Sequence, residues 1–99
     1  MSEHKAWTGV HVQLVFDSGS PSPEQLADGR KHTLTELQRF GTPKVTDGDR
    51  NDTFYVDFDS HQDAEDALRG VTFCKLEDKE GACVGFVVVS VSPPRIAKA

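Results

Sequence analysis

Residues 51–70 read NDTFYVDFDSHQDAEDALRG and join two different periodic patterns. The first half, TFYVDFD, alternates apolar and polar residues, which is the period of a strand with one buried face. In the second half, Ser60 is followed three residues later by Asp63, a spacing that resembles a capping box at a helix start. The stretch therefore predicts a strand over 53–59 that leads directly into a short amphipathic helix.

The flanking segments add further strands and a longer helix. GVHVQLVFD (9–17) alternates in the same way and predicts a half-buried strand. Apolar residues at helical spacing follow over 23–40, and Ser22 is suited to cap that helix. We also expect a weak edge strand within 42–52 and a final strand over 85–92.

This order of elements is β-α-β-β-α-(hairpin)-β, with residues 72–85 as a hairpin excursion. It predicts a ferredoxin-like α+β fold: an antiparallel four-stranded sheet with two helices on one face. The length of the chain fits a single domain over 1–99. We expect an ordered core over about 7–92, with tails at 1–5 and 93–99.

The charge of the chain is negative and unevenly spread. Its net charge is −5, and residues 51–85 hold nine acids and three bases. Because phosphate backbones are bound mainly by Lys and Arg, this balance disfavours non-specific nucleic-acid binding. The longest apolar run is too short to span a bilayer, and the N-terminus lacks an apolar signal segment. We therefore expect a cytoplasmic protein.

The predicted sheet has one face turned away from both helices, which we call the open face. By alternation it displays His11, Gln13, Val15, Thr53, Tyr55, Phe86, Val88 and Ser90. Val15, Tyr55, Phe86 and Val88 form an apolar group on neighbouring strands. Monomers seldom expose a large contiguous patch of this kind. The open face is therefore predicted to pack on a second copy or on a protein partner.

Two alternatives for the open face stay open at this point. The excursion over 72–85 could fold over it. The register of the last strand could also be shifted by one residue, which would turn Val87, Val89 and Val91 outward instead. The last strand is apolar on both sides in either register, so we expect something to cover it.

Acidic side chains crowd the end of the third strand and the start of the second helix. They are Asp57, Asp59, Asp63, Glu65 and Asp66. One interpretation is a solvated helix start, where the helix dipole favours acids. The other is a surface that binds a basic protein partner.

The third strand also resembles the signature strand of RNA-recognition domains, Lys/Arg-Gly-aromatic-Gly/Ala-aromatic-Val-x-aromatic. Tyr55, Val56 and Phe58 match it, and His11 occupies the exposed aromatic position of the family's first strand. Residues 51–53 depart from the cation, glycine and aromatic of the family. The resemblance implies a module that stacks single-stranded RNA bases on His11 and Tyr55.

The first strand has a looser resemblance of its own. VQLVFDSGS is similar to the first strand of the small ferredoxin-like dimeric nucleases found beside CRISPR arrays. In that family, the Asp at the strand end lies near a dimer axis and is linked to metal. The matching residue here is Asp17, so this resemblance implies a metal-dependent nuclease as a further alternative. A strand-end Asp is otherwise a turn residue or a cap.

The two cysteines, Cys74 and Cys83, have no CxxC spacing and predict neither a zinc knuckle nor a redox motif. If residues 77–80 form a four-residue hairpin turn, Cys74 falls opposite Cys83, close enough to bridge. The other interpretation is two free thiols, which a reducing cytosol favours.

No sequence motif indicates an enzyme. GxGxxG, GxxxxGK and HExxH are all absent from the sequence, and the four histidines are dispersed. We therefore predict a small acidic module for protein–protein interaction or regulation, a homodimer through the open face, without a cofactor. An RNA-binding module and a nuclease-like dimer are the alternatives.

Overall fold

The structure is a computed structural model that describes residues 7–92; the predicted tails at 1–5 and 93–99 lie outside them. A short 3-10 helix, Gln38–Phe40, follows the first α-helix. The main elements, in chain order, are β1 (Gly9–Phe16), α1 (Pro23–Leu37), β2 (Lys44–Asp47), β3 (Thr53–Asp57), α2 (His61–Val71), β4 (Lys75–Glu77) and β5 (Cys83–Val91).

The fold is α+β, with one antiparallel sheet in the order β2-β3-β1-β5-β4. As predicted, the first strand pairs with the third strand on one side and with the last strand on the other. The prediction of four strands was wrong, because part of the 72–85 excursion forms β4. Leu76 is buried between exposed Lys75 and Glu77, which is the alternation of a strand with one buried face. This segment pairs with β5.

Helix α1 starts where the sequence predicts it. Ser22 Oγ accepts a hydrogen bond from the backbone N–H of Gln25 at 3.1 Å, and Gln25 Oε1 accepts one from the Ser22 N–H at 2.9 Å. Pro23 occupies the first turn, where no intrahelical donor is needed. The α-helix ends at Leu37, earlier than the predicted residue 40, because its last turn tightens into the 3-10 helix.

Helix α2 begins where the sequence predicts it, directly after Ser60. Ser60 Oγ accepts from the Asp63 N–H at 3.1 Å and so satisfies one of the free donors of the first turn. Ala64, Ala67 and Val71 are buried along one side of the helix. These small side chains let α2 lie close to the sheet.

The hydrophobic core lies between the two helices and one face of the sheet. Alternate residues of the strands supply it: Val10, Val12, Leu14, Phe16, Phe54, Val56, Val87 and Val89. Gly29 allows α1 to approach closely, because a Cβ there would lie 3.3 Å from Leu14 Cδ1 and from Phe16 Cζ. The helices thus cover one side of the sheet and leave the other side, the open face, without a helical layer.

The substitution Gly85→Ala should destabilise the fold by about 2–4 kcal/mol. Gly85 lies opposite Phe16, and a Cβ there would come within 2.9 Å of the Phe16 Cα, so the backbone of β1 would have to shift. Gly29→Ala is the comparison variant and should cost less than Gly85→Ala, because its Cβ meets only the ends of two side chains at 3.3 Å and the helix propensity of alanine, about 1 kcal/mol better than glycine, offsets part of that cost. Chemical denaturation measures both variants. Equal stability of Gly85→Ala and wild type would contradict this account of the β1–β5 pairing.

Candidate functional site

The open face has the register that the sequence predicts first. Val87 and Val89 are buried against the helices, while Phe86, Val88 and Ser90 point to the other side of the sheet. The shifted register is therefore wrong. Most of the excursion does not cover the open face, because β4 extends the sheet sideways along β5; its residue Phe73 reaches Phe86 at the edge of that face.

One half of the open face is apolar. Val15 pairs directly with Phe86 across β1 and β5, and Gln13 pairs with Val88. The ring of Phe73, in the turn between α2 and β4, lies 6.2 Å from that of Phe86, centroid to centroid. Phe73 is 70% exposed and Phe86 is 37% exposed. The apolar half of the face thus ends in two adjacent, accessible phenylalanine rings.

Phe73 is a residue that sequence reasoning missed. It lies in the predicted excursion over 72–85, where no alternation assigns it to a face. Its backbone φ is 66°, and it is the one non-glycine residue with positive φ among residues 7–92. For an L-residue with a Cβ this conformation costs about 1–2 kcal/mol. The signal available in the sequence was the unusual placement of a phenylalanine directly after a helix end, where glycine is common.

The other half of the open face pairs a histidine with a tyrosine. His11 and Tyr55 are register partners on β1 and β3, and their ring centroids lie 5.0 Å apart with the planes tilted by 57°. Thr53 belongs to the same face but is buried. Its hydroxyl donates to the Arg50 carbonyl at 3.0 Å and accepts from the Arg50 N–H at 3.2 Å. The aromatic side chains on this half of the face are therefore the His11–Tyr55 pair, both half-buried.

Lysine and aspartate side chains flank the open face on the same side of the sheet. Lys44 and Asp57 are register partners on β2 and β3, and Lys75 is the partner of Phe86. The Asp57 carboxylate lies over Gly9, where a Cβ would meet Asp57 Oδ1 at 2.6 Å. This side of the sheet thus carries both signs of charge.

The other predicted acids lie elsewhere. Asp59 is exposed in the connection from β3 to α2, and the remaining three lie on α2, across the sheet from Asp57. Glu65 accepts from Arg69 at 2.9 Å, and Asp66 accepts from the Gln62 side chain at 3.0 Å. Asp57 is therefore not part of a common surface with the acids of α2.

A cavity of about 250 Å³ lies between α1 and the β4–β5 hairpin. Phe16, Leu76 and Val84 form its apolar lining, and carboxylates from both elements surround it. Lys79 Nζ donates to Glu24 Oε2 at 2.8 Å beside it. This hydrogen bond and the charge of Lys79 lower the pKa of Glu24, and Glu24 in turn raises the pKa of Lys79. Both side chains are exposed, so solvent screens the pair and it adds little to stability.

Asp17 is exposed directly after β1, and its backbone N–H donates to the Val84 carbonyl at 2.8 Å. Among residues 7–92, no three or more His, Cys, Asp and Glu side chains are grouped so that they could hold a metal ion. The nuclease alternative therefore rests on its sequence resemblance alone.

Comparison with known proteins gives no family. No protein-family model matches this chain, and no curated protein has significant similarity to it. In the described part of the chain, no helix is both long and apolar enough to cross a membrane.

The cysteines do not face each other. The turn between β4 and β5 is wider than four residues, since the Asp78 N–H donates to the Ala82 carbonyl at 2.9 Å. Cys83 is consequently the register partner of Glu77, while the Cys74 carbonyl accepts a hydrogen bond from the Val87 N–H at 2.9 Å. Both thiols are free. The predicted opposition of Cys74 and Cys83 is therefore wrong, because the wide turn and the bulge beside it displace Cys83 along the sheet.

Titration of the folded protein with a thiol reagent should detect two free thiols per chain. Cys83 is exposed and Cys74 is half-buried, so we expect Cys83 to react first. Cys83→Ser should remove the fast phase of the thiol reaction, and Cys74→Ser should remove the slow phase. Formation of an intramolecular disulfide in the native protein under mild oxidation would contradict the observed register.

Proposed function

We propose that this chain is a small protein-interaction module that forms a homodimer through its open face. The observation that carries the proposal is the exposed aromatic pair Phe73–Phe86, which adjoins Val15 on the side of the sheet that no helix covers. Exposed, contiguous apolar groups of this kind are typical of interaction sites. Aromatic residues are also the side chains most enriched at the centres of interfaces.

The distribution of charge supports a second copy as the partner. The chain carries a net charge of −5, so two copies repel each other over most of their surfaces. On the side of the open face, however, Lys44 and Lys75 accompany Asp57, whereas the acids of α2 lie across the sheet. Approach through the open face therefore keeps the most acidic helix of each copy on the outside, away from the partner.

The size of the sheet sets the strength that we expect of such a dimer. The five strands comprise 29 residues. At about 3.3 Å per residue and about 4.8 Å between strands, they cover roughly 450 Å². Two copies that pack face to face would bury roughly 900 Å² in total, if the sheet is treated as flat. Specific protein interfaces bury at least about 1,000 Å². We therefore propose a weak, concentration-dependent dimer.

The fold and the compartment belong to the same proposal. The order β2-β3-β1-β5 with two helices on one side supports a ferredoxin-like fold, with β4 added at the edge next to β5. The free thiols Cys74 and Cys83 are typical of proteins from a reducing compartment, which supports the proposal of a cytoplasmic protein.

Sedimentation velocity over a range of concentrations should reveal an equilibrium between the 10.9 kDa chain and a species of twice that mass. Phe86→Lys should shift this equilibrium to the monomer, because it places a charge inside the apolar contact. Val45→Lys is the matched control: Val45 is equally exposed at 37%, but its register partner Val56 faces the helices. A wild-type protein that stays monomeric up to about 1 mM would refute the dimer, since even weak specific complexes reach that affinity.

Single-stranded RNA binding is the second candidate, and the His11–Tyr55 pair favours it. The two rings are adjacent on the central strands, 5.0 Å apart, and aromatic side chains on a sheet surface are where bases of single-stranded RNA stack. Lys44 and Lys75 on the same side of the sheet could approach phosphates. The resemblance of the third strand to RNA-recognition domains points to the same two residues.

Fluorescence anisotropy with a labelled single-stranded RNA at low salt tests this candidate. Tyr55→Ala and His11→Ala should each weaken binding by about fivefold to a hundredfold, the loss expected for one stacked base. His32→Ala is the control, because His32 is exposed on α1, away from the sheet. Binding should also fall steeply with salt. Equal RNA affinity of Tyr55→Ala and wild type would exclude the platform.

A further inference from the structure

Phe73 has a backbone conformation that its side chain disfavours. Its φ of 66° lies in the left-handed region, where glycine is the ordinary residue because it has no Cβ. The position directly follows the C-cap of α2, Thr72, and glycine commonly serves the same purpose at helix ends. The backbone alone therefore gives no reason for a phenylalanine here, and the reason has to lie in the ring.

Hydrogen bonds to β5 hold this conformation on both sides of Phe73. The Thr72 hydroxyl accepts from the Val89 N–H at 3.1 Å, and the Val87 N–H donates to the Cys74 carbonyl at 2.9 Å. The Phe73 N–H itself donates to the Val87 carbonyl. The backbone is thus fixed against β5 before and after residue 73, and these bonds hold residue 73 in its left-handed conformation.

The ring contributes little to the core of its own chain. It remains 70% exposed, and its recorded ring contact is with Phe86, itself an exposed residue of the open face. A residue that served the fold would bury its ring, as Phe54 does at 1% exposure. A disfavoured backbone that holds an apolar ring in solvent is typical of a functional position.

We propose that Phe73 is the principal anchor of the dimer, with its ring inserted against the open face of the second copy. The inference rests on the proposed homodimer and identifies the residue on which its affinity depends. In a two-fold symmetric dimer each copy would contribute one such anchor. The area of the sheet is small for an interface, so the affinity of the dimer would depend on a few buried aromatic side chains such as Phe73.

Two substitutions of Phe73 separate the effect of its backbone conformation from the effect of its ring. Phe73→Gly removes the ring and also relieves the left-handed strain, so the monomer should be at least as stable as wild type while the dissociation constant rises about tenfold or more. Phe73→Asn is the second variant, because asparagine tolerates this conformation and offers no apolar ring. Val91→Asn is the matched control: Val91 is 44% exposed, but its register partner is the buried residue Val10.

Dissociation constants come from sedimentation velocity, and monomer stability comes from thermal unfolding at about 1 µM, where mass action favours the monomer. Loss of the dimer in both Phe73 variants, with folding retained and Val91→Asn unaffected, supports the proposal. A wild-type dimer that persists unchanged in Phe73→Gly overturns it and leaves the homodimer standing. Lower monomer stability in both variants also overturns it, because the ring would then serve the fold. A monomeric wild type overturns the homodimer and the anchor together.

Discussion

The pairing of β1 with β3 on one side and with β5 on the other is the constraint on which the rest of the structure depends. These two pairings fix the register of the three longest strands. Val10, Val12 and Leu14 are thereby committed to the core and His11, Gln13 and Val15 to the opposite side. Because the side-chain period of a strand is two, a slip of one residue would exchange the two faces completely. The register that buries the core residues of β1 therefore also determines which residues lie on the open face.

The helices follow from the same constraint. Both cover the side of the sheet that carries the apolar residues of β1, and Gly29 and the alanines of α2 allow them to lie close to it. A third layer on the other side is missing from the described part of the chain. The apolar residues there are consequently available to another molecule, and this availability is what the proposals for homodimerisation and for RNA binding share.

Those two proposals make opposite physical demands on one surface. Self-association depends on the apolar half, around Phe73 and Phe86, and would be little affected or even favoured by salt that screens the net negative charge. Base stacking depends on His11 and Tyr55 and on nearby lysines, and salt would weaken it. A dimer that covers the whole open face would also bury the His11–Tyr55 pair. The two activities would therefore compete within one molecule.

Much of the fold was readable from periodicity and capping. Alternation located β1, β3 and β5 and chose the correct face for Phe86 and Val88, while Ser22 and Ser60 marked the helix starts. These features are local, since they depend on neighbours a few residues away along the chain. The fifth strand was missed because three residues are too few to show a period. Leu76 becomes a strand residue only through its pairing with β5.

The sequence by itself determined the order of β1, α1, β2, β3, α2 and β5 and which residues of β1, β3 and β5 lie on the side of the sheet away from the helices. Only the tertiary structure decided what stands at the edge of that face. Hydrogen bonds from β5 to the residues around Phe73 hold its left-handed backbone and place its ring beside Phe86. The turn between β4 and β5 and the bulge beside it displace Cys83 from a position opposite Cys74. The placement of Phe73 depends on contacts with β5, more than ten residues away along the chain, and no local pattern of residues encodes those contacts.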